Sequence, residues 1–120
     1  MIDKNKTIPS DFVIIGGTGN LSKSKILPAL FWRYLDNQID KKSKIILCDK
    51  KISSKNKFIS LLEINCKEAI NKKITNKIKW DEFVKAINFL ELDVVSGEGH
   101  INLLSILKEK FDETRPIIFY

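Results

Sequence analysis

The chain has 120 residues, 43% of them hydrophobic and 30% charged, with a formal net charge of +6. That length suits one domain with one modest core, burying roughly two-thirds of the unfolded surface; the apolar share excludes a disordered tail, and no apolar run nears the roughly 20 residues of a membrane span. The positive charge is almost all Lys, with Arg33 and Arg115 the only arginines, and no basic patch is interleaved with aromatics, so neither a nucleic-acid nor a membrane partner is expected.

Residues 1–10 read as a polar N-terminal tail. They lack the apolar stretch of a secretory signal, which points to the cytoplasm. Residues 11–15 form a short apolar run that ends in Gly-Gly-Thr-Gly, the pattern of a buried strand meeting a tight turn. Leu27, Leu30, Phe31 and Tyr34 then lie at i, i+3, i+4 and i+7 and predict a helix, which either starts near Pro28 or kinks there. Residues 44–49 are a second strand. Phe58, Leu61, Leu62, Asn65, Cys66 and Ala69 restore helical spacing, and residues 74–87 hold a shorter helix around Trp80. Residues 88–94 alternate loosely as a third strand, Leu103, Leu104, Leu107 and Phe111 make a further helical stripe, and residues 116–120 begin a fourth strand. Trp32, Trp80 and the phenylalanines read as core. Cys48 and Cys66 have neither metal-ligand nor redox spacing, so no metal site is expected.

This order predicts an α/β fold: a Rossmann-type parallel sheet of about four strands with helices on both faces, incomplete, over residues 11–120. In such sheets the first strand-to-helix turn is the usual phosphate site. Here it is Gly16-Gly17-Thr18-Gly19-Asn20-Leu21-Ser22. Gly16 allows the sharp turn, Gly19 lets the chain pass against a pyrophosphate, and Ser22 is small enough for the helix to pack on the strand. Amides at the helix start bind anionic oxygens without a charged side chain, and Thr18 can add a hydroxyl. A purely structural turn is the competing reading. Lys23 and Lys25 follow the loop, either as phosphate or sugar ligands or as a solvated face. At the end of the second strand, Asp49 suits the ribose hydroxyls of NAD, whereas Lys50 and Lys51 suit the 2′-phosphate of NADP. His100, the only histidine, sits on a Gly97-Glu98-Gly99 turn with no partner in sequence and reads as a surface residue.

The stretch Phe12-Val-Ile-Ile-Gly-Gly-Thr-Gly-Asn-Leu-Ser-Lys-Ser-Lys-Ile-Leu-Pro28 resembles the start of glucose-6-phosphate dehydrogenases, where a Gly-x-x-Gly-Asp-Leu turn, a Lys and a Pro join the first strand to the first helix. Gly16, Gly19, Leu21, Lys25 and Pro28 carry the likeness, and it extends through the later strands to Tyr120. The resemblance implies oxidation of the C1 hydroxyl of glucose 6-phosphate with hydride passing to NADP, NAD being the alternative. It places Gly16, Gly17, Thr18, Gly19, Asn20 and Leu21 along the coenzyme, Lys50, with Lys51 next to it, at the 2′-phosphate, and Lys25 facing the sugar near the reacting carbon; Asp49, from its place at the strand end, counts with the coenzyme-binding residues. Asn20 and Asp49 depart from the family, which has Asp and a small residue there. The family's His–Asp general base, in an Arg-Ile-Asp-His-Tyr-Leu-Gly-Lys-Glu stretch, has no match here.

The expectation is therefore a fragment covering the first quarter of such an enzyme, binding NADP weakly and not catalytic alone. It would meet glucose 6-phosphate only if the missing domain is supplied, and it would associate or aggregate through an exposed sheet edge. A self-contained NAD(P)-binding Rossmann module without dehydrogenase activity is the alternative.

Overall fold

The structure, a computed structural model, describes residues 8–91 and 116–120. Four parallel strands, β1 (Asp11–Ile15), β2 (Lys44–Asp49), β3 (Ile87–Glu91) and β4 (Ile117–Phe119), lie in the order β3-β2-β1-β4. The first three step outward to one side of β1 and β4 lies on its other side, so the winding reverses at β1. β1 and β2 have the bounds that their apolar runs predict, because both are buried along nearly their whole length and stop at turn residues.

The helices are α1 (Leu27–Leu35), α2 (Lys55–Asn65), α3 (Lys67–Asn71) and α4 (Asn76–Lys85). The expected single stripe through Ala69 is two helices, parted at Cys66, and the third strand starts one residue early, at Ile87. Around Pro28 the chain takes a third course. It is helical from Asn20, widens into a π-helical turn over Ser22–Ile26, and becomes α-helical at Leu27, whose amide donates to the Ser22 carbonyl. Pro28 brings no amide and its ring crowds the carbonyl four residues back, so a turn that already departs from the regular ladder accepts it. α1 is closed off just past its end by Asn37, φ 59°, where the amides of Asn37 and Gln38 turn back to the carbonyls of Tyr34 and Arg33; that left-handed turn releases the chain toward β2.

One face of the sheet, with Phe12, Ile14, Ile45 and Leu47, packs against Leu27, Phe31, Phe58, Leu62, Trp80 and Phe83 from the helices. Phe31 is the hub, with Trp80 edge-on at 5.0 Å and Phe83 at 5.2 Å between ring centres. Trp32, expected in the core, is 38% exposed and lies under the Lys72 ammonium. Val13, Ile46, Cys48 and Leu90 form a second cluster on the other face. All four described helices lie with the larger cluster; the predicted Leu103–Phe111 stripe, His100 and Arg115 fall outside the described residues.

Candidate functional site: a glycine loop beside a lysine cleft

The loop leaves the carboxyl end of β1 at the point where the winding reverses. Gly16 has φ +69°, and a Cβ there would meet nothing within 4 Å, so the turn demands glycine while the space above it is open. Gly17 is needed for a different reason: a Cβ would lie 2.7 Å from the Leu47 Cβ and 2.8 Å from its Cα. The loop crosses β2 at main-chain contact, and the Gly17 amide donates to the Cys48 carbonyl at 2.9 Å. Gly19 closes the turn by donating to the Gly16 carbonyl at 2.9 Å and accepts from the Lys23 amide.

The amides of Asn20, Leu21 and Ser22, at the first three helical positions, make no hydrogen bond to a described residue. They are the donors that a helix start offers to an anion. The Asn20 side chain caps nothing; its carbonyl accepts the Ser24 hydroxyl at 2.6 Å. The Ser22 hydroxyl is buried and has no partner among the described residues. Lys25 stands exposed on the outer side of the π-helical turn.

Thr18 does not point its hydroxyl at free space. It donates to Asp49 Oδ2 at 2.6 Å, and Asp49 Oδ1 accepts the Lys50 amide at 2.9 Å. Burial, and then the Asp49 charge, pushes the Cys48 thiol up to about 11, so it is no nucleophile at neutral pH.

Beside the loop, Thr18, Lys23, Lys51, Ser54, Lys57 and Phe58 line a cleft of about 230 Å³. Ser54 caps α2 by accepting the Lys57 amide, which fixes Lys57 in the first turn, and the Asn65 side chain donates to the Lys23 carbonyl at 3.0 Å, tying α2 to the π-helical turn. Among the described residues the cleft wall carries three ammonium groups and no carboxylate. None of the three forms an ion pair among the described residues, where Lys77, with Glu63 and Asp81, makes the recorded pairs. Lys51 is in the wall; Lys50 is exposed and outside it. Lys57 was missed in the sequence, although Ser53-Ser54 ahead of an apolar stripe marks a helix start just after β2 and so places Lys57 near the loop. Among the described residues no group of three His, Cys, Asp or Glu can hold a metal, and no helix is long and apolar enough to cross a membrane.

A parallel α/β sheet whose winding reverses at β1, with a glycine loop and a helix start at that point, is a dinucleotide-binding domain of the Rossmann kind. The model of the family described as glucose-6-phosphate dehydrogenase, NAD binding domain, matches residues 13–120, and the chain belongs to that family. It is 29% identical over 107 residues to glucose-6-phosphate 1-dehydrogenase of Rhizobium meliloti (strain 1021), covering 89% of this chain and 22% of that protein. It is 32% identical over 100 residues to that of Buchnera aphidicola subsp. Acyrthosiphon pisum (strain APS), covering 83% and 20%. A solved structure described as glucose-6-phosphate dehydrogenase in complex with its substrate glucose-6-phosphate has the same fold, with a TM-score of 0.82 and 24% identity over 99% of this chain and 25% of that one. The chain thus spans about a fifth of the length of these curated relatives. Its domain is the part of the family that binds a nicotinamide coenzyme.

Proposed function

We propose that this chain supplies the coenzyme-binding part of a glucose-6-phosphate dehydrogenase and takes NADP, with NAD as the weaker ligand. The amides of Asn20, Leu21 and Ser22, which have no partner among the described residues, beside a cleft whose three lysines form no ion pair among them, carry the reading. The donor set fits the group: neutral amides suit a pyrophosphate approached closely by backbone, and ammonium groups suit the phosphomonoester that separates NADP from NAD. Gly16, Gly17, Thr18, Gly19, Asn20 and Leu21 would run along the pyrophosphate, and Lys51, with Lys23 and Lys57, would meet the 2′-phosphate. Lys50 and Asp49 would flank the adenosine ribose.

The bound coenzyme would accept hydride from C1 of glucose 6-phosphate. Lys25 would face that sugar, and since nothing in these 120 residues matches the family's His–Asp base, they would bind coenzyme without turning over substrate on their own. The test is titration of the 120-residue chain with NADPH and NADH, followed by the fluorescence of the reduced coenzyme. NADPH binds more tightly, and Lys51→Ala weakens it by about tenfold while leaving NADH unchanged, a tenfold change being about 1.4 kcal/mol. Equal losses for the two coenzymes would remove the 2′-phosphate role, and turnover of glucose 6-phosphate by the chain alone would refute its inactivity.

A further inference from the structure

The turn that follows the glycine loop has a gap in its hydrogen-bond ladder. Between Ser22 and Ile26 the chain widens, and the Leu27 amide donates to the Ser22 carbonyl five residues back. The next bond of that series would run from residue 28 to the Lys23 carbonyl, and Pro28 has no N–H to give. The widening itself serves packing. An α-helix turns about 100° per residue and would set Ser22 and Leu27 about 140° apart around its axis, yet both are buried, at 2% and 0% exposure. The Lys23 carbonyl is met instead from another element. Asn65, the last residue of α2, is exposed, and its side-chain amide donates to that carbonyl at 3.0 Å. A carbonyl only accepts, so the group of Asn65 at this contact is its NH2. Ile26 packs on the same core cluster as Phe58 and Leu62 of α2, so the turn and the helix share a core.

We propose that Asn65 is a positioning residue: its side chain stands in for the N–H that Pro28 lacks and so holds the widened turn in the shape that aims the helix start at the coenzyme. The inference rests on the coenzyme reading above and adds to it a residue that lies outside both the glycine loop and the cleft wall. The amides of Asn20, Leu21 and Ser22 lie within one helical turn of Lys23. If the turn relaxes to α-helical spacing, one residue's worth of rotation, about 100°, is lost between them and Leu27. Neither end can absorb it, because Leu27 is fully buried and the loop is held to β2 by the Gly17–Cys48 hydrogen bond. The misfit therefore falls on the helix-start amides and on Lys25, which lies in the turn. Asn65 touches no ligand; it acts through the Lys23 main chain.

Titration of the full 120-residue chain with NADPH and NADH, followed by coenzyme fluorescence, tests this. Asn65→Leu, close to Asn in shape but without a donor, is expected to weaken both coenzymes alike by about fivefold, the size of one ordinary hydrogen bond, because the helix-start amides serve the part the two share. Leu is a better helix former than Asn, so loosening of α2 does not account for such a loss. Asn65→Gln keeps an NH2 and restores most of the affinity. In a Pro28→Ala background residue 28 regains an amide, the Lys23 carbonyl gains a main-chain donor, and Asn65→Leu costs nothing further. An Asn65→Leu loss as large in Pro28→Ala as in the wild-type chain overturns the proposal, and so does wild-type affinity in Asn65→Leu. A loss confined to NADPH also overturns it, because Asn65 would then act on the phosphate that only one coenzyme carries. If the wild-type chain binds neither coenzyme, the coenzyme reading falls and the positioning role with it.

Discussion

Replacing Gly17 with Ala isolates the close crossing of the loop over β2. The added Cβ would sit 2.7 Å from the Leu47 Cβ, 2.8 Å from the Leu47 Cα and 2.9 Å from the Ile14 carbonyl oxygen. Carbon atoms at rest sit roughly 3.5–4.0 Å apart, so the overlap is close to 1 Å and falls largely on main chain. Leu47 is fully buried and cannot retreat, and the Gly17–Cys48 hydrogen bond holds the loop from the other side. Overpacking of this kind costs roughly 1–3 kcal/mol, and contact with backbone puts this site in the upper half of that range. Restricting the unfolded chain returns about 0.4–1 kcal/mol. The expected net loss is about 2 kcal/mol, a large share of the roughly 5–15 kcal/mol that holds a small domain together. Gly16→Ala is the control: it has open space but a left-handed φ, so it costs about 1–2 kcal/mol of strain with no clash. Urea unfolding followed by the fluorescence of buried Trp80 measures both. An unchanged midpoint for Gly17→Ala, or a larger loss for Gly16→Ala than for Gly17→Ala, would refute the close-crossing argument.

Removing the buried hydroxyl of Ser22, which has no partner among the described residues, with Ser22→Ala should raise stability by about 1 kcal/mol in the absence of ligand; a loss in urea unfolding would mean the hydroxyl has a partner. The Tyr34 hydroxyl, buried and donating to Glu82 at 2.9 Å, titrates at about 12 instead of 10. Because the folded value is raised, its stabilising contribution is complete below pH 10 and is lost as pH rises from 10 toward 12. Tyr34→Phe should therefore flatten the fall in stability over that window, and an identical pH profile for the two proteins would contradict the assignment. On the far side of the sheet, β4 pairs with β1 and has no second neighbour among the described residues, while Phe119 is 63% exposed. Such an edge invites pairing with another chain, so Phe119→Lys should reduce self-association in sedimentation velocity; an association state that does not respond to Phe119→Lys would remove the edge as its cause.

Legibility followed the range of the forces involved. β1 and β2 could be read to the residue, because continuous burial writes a continuous apolar run and the turns at their ends are local chemistry. The stripe Leu27, Leu30, Phe31 and Tyr34 is all buried, as its spacing requires. Pro28 could be flagged as a disturbance, but whether a chain restarts, kinks or widens into a π-helical turn depends on what the preceding turn packs against. Asn65, expected on the buried stripe, is exposed and spends its side chain on the Lys23 carbonyl. The lysine cleft shows the same limit. In a chain so rich in Lys, composition does not distinguish Lys57 from its neighbours; only the approach of α2 to the loop brings it beside Lys23 and Lys51. The Thr18–Asp49 bond joins residues 31 apart in sequence and has no local signature. Gly17 reads in the sequence as part of the phosphate turn; that it also passes against the molecule's own second strand has no local signature.

The most direct test of the coenzyme site is an NMR titration of the 15N-labelled 120-residue chain with NADP. The largest amide shifts should fall on residues 16–22 and 51–57, with the α3–α4 face around Lys72, Lys73 and Lys79 unmoved. Shifts centred on that second lysine cluster, or an unperturbed glycine loop at saturating NADP, would contradict the site.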